Sequence, residues 1–217
     1  MPEINMRIYA VADIHGRKNR VSSILDTVSN LKPDVLVLAG DICSLFNSSG
    51  VISSFGNLSL PVLAIRGNSD SKKIETTLPG FPNISFLNFS EVIINGFSFT
   101  GVGGTIPAPF ASRIRLSEKQ TIKNLESIVN NDSILIAHPP PRGILDEVLG
   151  KFHAGCRSMN EIILKCQPQL FICGHIHEMP GSAFLGKTLV VNCSIGMKGK
   201  GALIELNTDR PPVVEML

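Results

Sequence analysis

The sequence predicts an α/β fold carrying two sheets. Apolar runs at residues 7–14, 34–38 and 61–65 each end in a polar, glycine-containing loop, and helix-compatible stretches lie between them. From residue 84 to 105 the pattern changes to shorter runs, broken by Asn95-Gly96 and by residues 101–104. Strands that alternate with helical segments make parallel βαβ units. Closely spaced runs around an Asn-Gly pair make hairpins. A parallel region is therefore expected to lead into a second, more antiparallel one.

Residues 7–14 read as a buried strand because the apolar run stops at Asp13-Ile14-His15-Gly16. Helical spacing follows over residues 21–31. The second run ends in Ala39-Gly40-Asp41 and the third in Arg66-Gly67-Asn68. Ligands of open α/β sheets gather outside the carboxyl ends of the strands, so these three loops should converge. Ser117-Glu118-Lys119-Gln120 has capping-box spacing ahead of Ile122, Leu125 and Val129, which opens a helix there. Residues 133–137 return to strand. Ser158-Met159-Asn160-Glu161 is a second capping box, and its helix should stop near Gln167-Pro168 because proline cannot continue it. The strand at 169–173 runs into Gly174-His175-Ile176-His177. Two late runs, 188–193 and 202–206, are expected to complete the second sheet across a glycine-rich turn at 196–201. No linker divides the chain, so residues 1–217 are expected to form one domain.

Composition narrows the function. With 43% hydrophobic and 18% charged residues, the chain can bury a core and is not of the disordered class. The net charge of +2 comes from scattered basic residues, unlike the footprint of a nucleic-acid binder, although nucleotide substrates stay open. No segment approaches the roughly 20 apolar residues that span a bilayer, and the first residues do not resemble a signal peptide. A cytoplasmic protein without membrane partners is expected. Cys43, Cys156, Cys166, Cys173 and Cys193 are odd in number and lack CxxC spacing. They fit small buried residues better than a disulfide framework or a thiolate zinc site.

The strand ends carry Asp13 and His15, Asp41, Asn68, His138, and His175 with His177, so four of the five histidines fall in these loops. Carboxylate, imidazole and amide oxygen together suit borderline divalent ions: Mn, Fe, Zn, Co or Ni. In extended chain, residues two apart point to one side, so Asp13 can converge with His15 and His175 with His177. Gly16, Gly40, Gly67 and Gly174 stand beside these residues and are expected to permit tight turns at positive φ.

This series, Asp-x-His, Gly-Asp, Gly-Asn, His and Gly-His-x-His from Asp13 to His177, resembles the calcineurin-like metallophosphoesterases. The stretch from His138-Pro139-Pro140 to Gly174-His175-Ile176-His177-Glu178 looks like the small archaeal and bacterial members. The resemblance implies a four-layer α/β/β/α sandwich of two mixed sheets. It implies two divalent ions, with manganese first among those named above. Asp13, His15 and His177 would hold one, Asn68, His138 and His175 the other, and Asp41 would bridge them. It also implies phosphate-ester hydrolysis by hydroxide between the metals, on a small phosphoester that could be a nucleotide. Asn68, His138 and Arg142 would meet the phosphate. A homo-oligomer is left open. The alternatives are a phosphomonoesterase or nucleotide pyrophosphatase of the same fold, or a non-catalytic interaction scaffold.

Where many members of that family read Gly-Asn-His-Glu or Gly-Asn-His-Asp, this chain has Gly67-Asn68-Ser69-Asp70. The absent histidine commonly helps protonate the leaving group, and a serine hydroxyl cannot do so near neutral pH. Phosphodiesters or activated phosphoesters are therefore preferred as substrates. Asp70 reads first as a helix N-cap, against a side chain that supports the ligand residues. His153, the one histidine outside the ligand series, is the candidate replacement acid, against a plain loop histidine. Arg142, which follows three prolines after His138, could grip a phosphate oxygen, against an ordinary surface arginine. Arg66 reads first as an ion-paired or solvated side chain, Arg113 and Arg115 are weaker substrate candidates, and residues 106–110 read first as a surface connection.

Overall fold

The computed structural model describes residues 5–43, 48–104, 118–197, 199–208 and 210–217. In chain order it contains β1 (Asn5–Val11), α1 (Lys18–Leu31), β2 (Val35–Ala39), α2 (Ser48–Gly56), β3 (Val62–Ile65), α3 (Ile74–Thr77), β4 (Ile84–Phe86), β5 (Ser90–Ile94) and β6 (Phe97–Val102). There follow α4 (Glu118–Glu126), β7 (Ser133–Ala137), the short β8 (Glu147–Val148) and β9 (Phe152–His153), α5 (Arg157–Cys166), β10 (Leu170–Cys173), β11 (Gly181–Leu185), β12 (Thr188–Asn192), β13 (Ala202–Asn207) and β14 (Arg210–Met216).

Two six-stranded sheets result, ordered β14-β13-β1-β2-β3-β4 and β11-β12-β10-β7-β6-β5. Alternation along each strand divides the core. In β1, Ile8 and Ala10 point between the sheets, where they meet Ile136, Ile172 and Val191 of the other sheet. Tyr9 and Val11 point the opposite way, onto Val21, Ile24 and Val28 of α1 and Ile52 and Phe55 of α2. On the far side, Leu135, Phe171 and Val190 pack on Leu125 of α4 and Met159, Ile162 and Ile163 of α5. Strands covered on both faces read as continuous apolar runs. The architecture is thus α/β/β/α, and each large side chain buried in it contributes about 1.5–3 kcal/mol.

Several details differ from the sequence reading. The Asn95-Gly96 hairpin forms, with both residues at positive φ (49° and 83°) as a type I′ turn requires. The second sheet is nevertheless parallel through β12, β10, β7 and β6, and only its edge strands β5 and β11 run antiparallel. Residues 202–207 belong to the first sheet, not the second, because β13 pairs antiparallel with β1 from Asn5↔Asn207 to Ala10↔Ala202. The glycine-rich stretch before it therefore crosses between sheets. Ser158 does not cap α5. The N-cap is Cys156, which an isolated bridge to Pro141 and a Cys156 N–H to Pro140 O bond of 2.8 Å hold at that point. Tertiary anchoring overrides the local capping pattern here. Ser117 of the other capping box lies outside the described residues.

Candidate metal centre

Backbone hydrogen bonds beyond the strand ends bring the polar loops together. Asp13 N–H donates to Gly40 O (3.1 Å) and His15 N–H to Asp41 O (2.8 Å), so the loop after β1 continues alongside the loop after β2. In the other sheet Gly174 N–H donates to His138 O (3.0 Å). The two sheets are joined where His175 N–H donates to Asp13 Oδ2 (2.9 Å). Four residues of this edge, Asp13, His15, Asp41 and His175, adopt left-handed backbone conformations, with φ of 63°, 52°, 51° and 70°. Non-glycine residues in that region store strain and cluster at functional sites.

All seven residues anticipated at the strand ends meet. Two groups have ligand atoms within 4.8 Å of one another: Asp13, His15 and His177, and Asp13, Asp41 and His138. Asp13 Oδ1 lies 3.2 Å from His177 Nε2 and 3.9 Å from His138 Nε2, so it faces both groups. Asp41 Oδ2 lies 3.5 Å from His138 Nε2 and 3.9 Å from His15 Nε2. Asn68 Oδ1 is 3.1 Å from His138 Nε2. The rings of His138 and His175 pack edge-on with centroids 5.1 Å apart, as do those of His15 and His177 at 5.4 Å.

The electrostatics fit a cation. Asp13 and His138 are fully buried and Asp41 nearly so. Burial alone would raise both carboxylates, but His177 and His138 hold Asp13, and His138 and Ser69 hold Asp41, below the ordinary carboxylate range. Burial would likewise lower His138, yet Asp41 and Asp13 push it up to about 10. Burial, then His138, lowers His175 to about 4. Among the described residues Asp13 Oδ1 has no hydrogen-bond donor. A buried, ionised oxygen without a donor is costly, and it faces the Nε2 atoms of His138 and His177. His138 Nδ1 is 2.8 Å from Ala39 O, to which it donates. That bond turns Nε2 toward Asp13, Asp41 and Asn68, the usual orientation of a ligating imidazole.

Supporting contacts keep these groups in place. Ser69 grips Asp41 twice, through N–H to Oδ1 and the hydroxyl to Oδ2, both at 2.8 Å. Asp70 caps no helix: α3 begins at Ile74 after Lys73, and the Asp70 carboxylate instead accepts from the N–H groups of Ile42 (3.2 Å), Cys43 (2.8 Å) and Gly67 (2.9 Å). It thereby ties the Asp41 loop to the Asn68 loop, and its burial raises its pKa. Gly16 and Gly40 do adopt positive φ (66° and 91°), but Gly67 and Gly174 do not. Gly67 is needed for space, since a Cβ there would collide with Asp41 Oδ1 and N.

Two contributors carried no recognisable sequence signal. Arg20, on α1, donates to Asp13 O (2.7 Å) and to Gly196 O. Asp146, buried beside β8, accepts from His153 Nδ1 (2.7 Å). His153 and Arg142 lie together on the segment between β7 and α5, with Arg142 Nη1 donating to His153 O (2.8 Å). That bond commits one Arg142 nitrogen to the backbone. Arg66 is buried and paired with Glu75 Oε1 at 3.0 Å, as an ion-paired side chain. Arg113, Arg115 and residues 106–110 lie outside the described residues.

A model of the calcineurin-like phosphoesterases matches residues 6–179, a span that contains all seven converging residues. The chain belongs to the calcineurin-like phosphoesterase family. It is 30% identical over 202 residues to an uncharacterised protein of Methanocaldococcus jannaschii, covering 87% of this chain and 88% of that one. It is 29% identical over 250 residues to human metallophosphoesterase domain-containing protein 1, covering 96% of this chain and 70% of the human one. Among solved structures, TT1561 of Thermus thermophilus superposes with a TM-score of 0.71 at 17% identity, over 97% of this chain and 98% of that one. The last likeness is one of fold. Family membership implies a divalent-metal phosphoesterase, and the two Asp/His groups are its candidate metal-binding groups. Among the described residues no helix is long and apolar enough to cross a membrane.

Proposed function

We propose that this protein hydrolyses a small phosphodiester or activated phosphoester at a dinuclear divalent-metal centre, with manganese the first candidate ion. The observation that carries the reading is the buried Asp13 Oδ1, which has no hydrogen-bond donor among the described residues and faces the Nε2 atoms of His138 and His177. Asp13, His15 and His177 would hold one cation, and Asn68, His138 and His175 the other. Asp41 would serve both, since its Oδ2 faces His15 and His138 together. When bound, the cations supply Lewis acidity toward water and toward the phosphoryl oxygens.

The side chains contribute orientation and charge balance. Ser69 fixes both oxygens of Asp41, and Ala39 O fixes the ring of His138. With its hydroxyl donated to Asp41, Ser69 offers no proton to a leaving group. This supports a preference for diesters or activated esters, with His153 as the remaining imidazole able to act as acid. Asn68, His138 and Arg142 are proposed to meet the phosphate, and a nucleotide is an acceptable substrate on these grounds. A cytoplasmic setting is part of this proposal, in keeping with an odd number of cysteines that lack CxxC spacing. The whole chain is proposed to act as one domain.

The test is hydrolysis of bis-p-nitrophenyl phosphate beside p-nitrophenyl phosphate by metal-stripped protein given Mn, Ni, Co, Zn or Mg in turn. Metal-dependent turnover favouring the diester is expected. Absence of turnover with every metal would leave the interaction scaffold as the better reading.

A further inference from the structure

The segment between β7 and α5 contains a pair of titratable side chains outside the seven-residue cluster. Asp146 is 1% exposed, and among the described residues its one basic partner is His153. Its Oδ1 accepts from His153 Nδ1 at 2.7 Å, and its Oδ2 accepts from Gly155 N–H at 2.9 Å. Its backbone oxygen takes Ala154 N–H at 2.9 Å. The His153 backbone is held in turn by Arg142 Nη1 and by pairing with Glu147. Nothing can be enlarged here: a Cβ on Gly155 would lie 2.7 Å from Asp146 Oδ2 and 2.8 Å from Pro141 O.

The consequence is a fixed ring. With Nδ1–H committed to a buried carboxylate, Nε2 is the outward nitrogen of a side chain that is 44% exposed. The pair lies at the same sheet edge as the cluster, because its segment leaves β7 at His138 and is tied back by Cys156 N–H to Pro140 O (2.8 Å). A buried carboxylate behind a half-exposed imidazole sets the tautomer and supplies a counter-ion to the charged ring. A clamped loop alone would not require an ionisable ring on that carboxylate.

We infer that His153 donates the proton to the departing alcohol, with Asp146 as its positioning residue, which extends the substrate class to phosphoesters of unactivated alcohols. This rests on the phosphoester reading above. As the phosphorus–oxygen bond to the alcohol breaks, its electron pair goes to that oxygen, which takes the proton from His153 Nε2. Water supplies the oxygen of the new phosphorus–oxygen bond and loses one proton to solvent as that bond forms. The neutral ring keeps Nδ1–H on Asp146 and regains its Nε2 proton from solvent.

The experiment measures kcat/KM of metal-loaded wild type, His153→Gln and Asp146→Asn on two phosphodiesters, one with a p-nitrophenyl and one with an alkyl leaving group. A general acid is worth about 10²–10⁴-fold. His153→Gln should lose that much on the alkyl ester and little on the p-nitrophenyl ester, with Asp146→Asn showing the same selectivity. Side-chain ¹⁵N–¹H spectra of the metal-free protein should contain a protected His153 Nδ1–H that Asp146→Asn abolishes. Equal losses on both esters, or an unchanged ratio, would overturn the acid role while leaving the phosphoesterase intact. If the wild type hydrolysed neither ester, both readings would fall.

Discussion

Replacing Asp70 tests whether the loops of the candidate metal centre are held by a buried carboxylate. Its two oxygens accept three backbone N–H groups, from Ile42, Cys43 and Gly67, in a place that is 1% exposed. Hydrogen bonds to a charged group contribute about 1.5–3 kcal/mol each, and an abandoned buried N–H costs about 1–3 kcal/mol. Against this stands the cost of burying the carboxylate, which its raised pKa registers. Asp70→Ala is therefore expected to lower stability by about 3–6 kcal/mol, a large part of the roughly 5–15 kcal/mol typical of a domain. Asp70→Asn keeps the shape but turns an amide NH₂ toward backbone donors, so it should lose less but still destabilise. The assay is urea unfolding of chelator-treated protein, which separates the loop tie from metal binding. A loss below about 1 kcal/mol for Asp70→Ala would refute the argument, because three unsatisfied N–H groups cannot cost so little.

If the proposed centre holds two ions, Asp41→Asn should weaken binding of both together, by more than the roughly 10–100-fold that losing a group which only supports a ligand costs, as read by calorimetric titration with Mn. Loss of one site with the other intact would contradict the shared carboxylate. The pH dependence of metal-free stability has a definite sign. His138 is raised from 6.5 to about 10, so its contribution is fully present below about 6.5 and is lost as pH rises through about 10. Melting temperature should fall across that window in wild type and less so in His138→Gln. Ser69→His should raise monoester turnover relative to diester turnover, measured on the two p-nitrophenyl substrates. An unchanged ratio would remove the reason given for diester preference.

The positions that converge at the candidate metal centre were legible because each follows an apolar run that must stop where the chain turns out of a sheet. Asp13, Asp41, Asn68, His138 and His175 all stand at such ends. The assignment of strands to sheets was less legible. Residues 202–207 open on an apolar run that either sheet could accept, and only the register with β1 decides. The parallel interior of the second sheet was hidden because α4 and α5 were found without their crossover geometry. Asp70 has the residue type and local setting of an N-cap, and its true role depends on backbone groups up to 28 positions away. Asp146 gives no signal at all in one sequence, since a buried acid is recognised only once its partner is in place.

The most direct test of the central claim is the metal content of protein purified without chelator, by inductively coupled plasma mass spectrometry. Two divalent transition-metal ions per chain are expected in wild type, falling markedly in Asp41→Asn. A wild-type chain that is folded, yet contains no stoichiometric metal and takes none up from solution, would contradict the account.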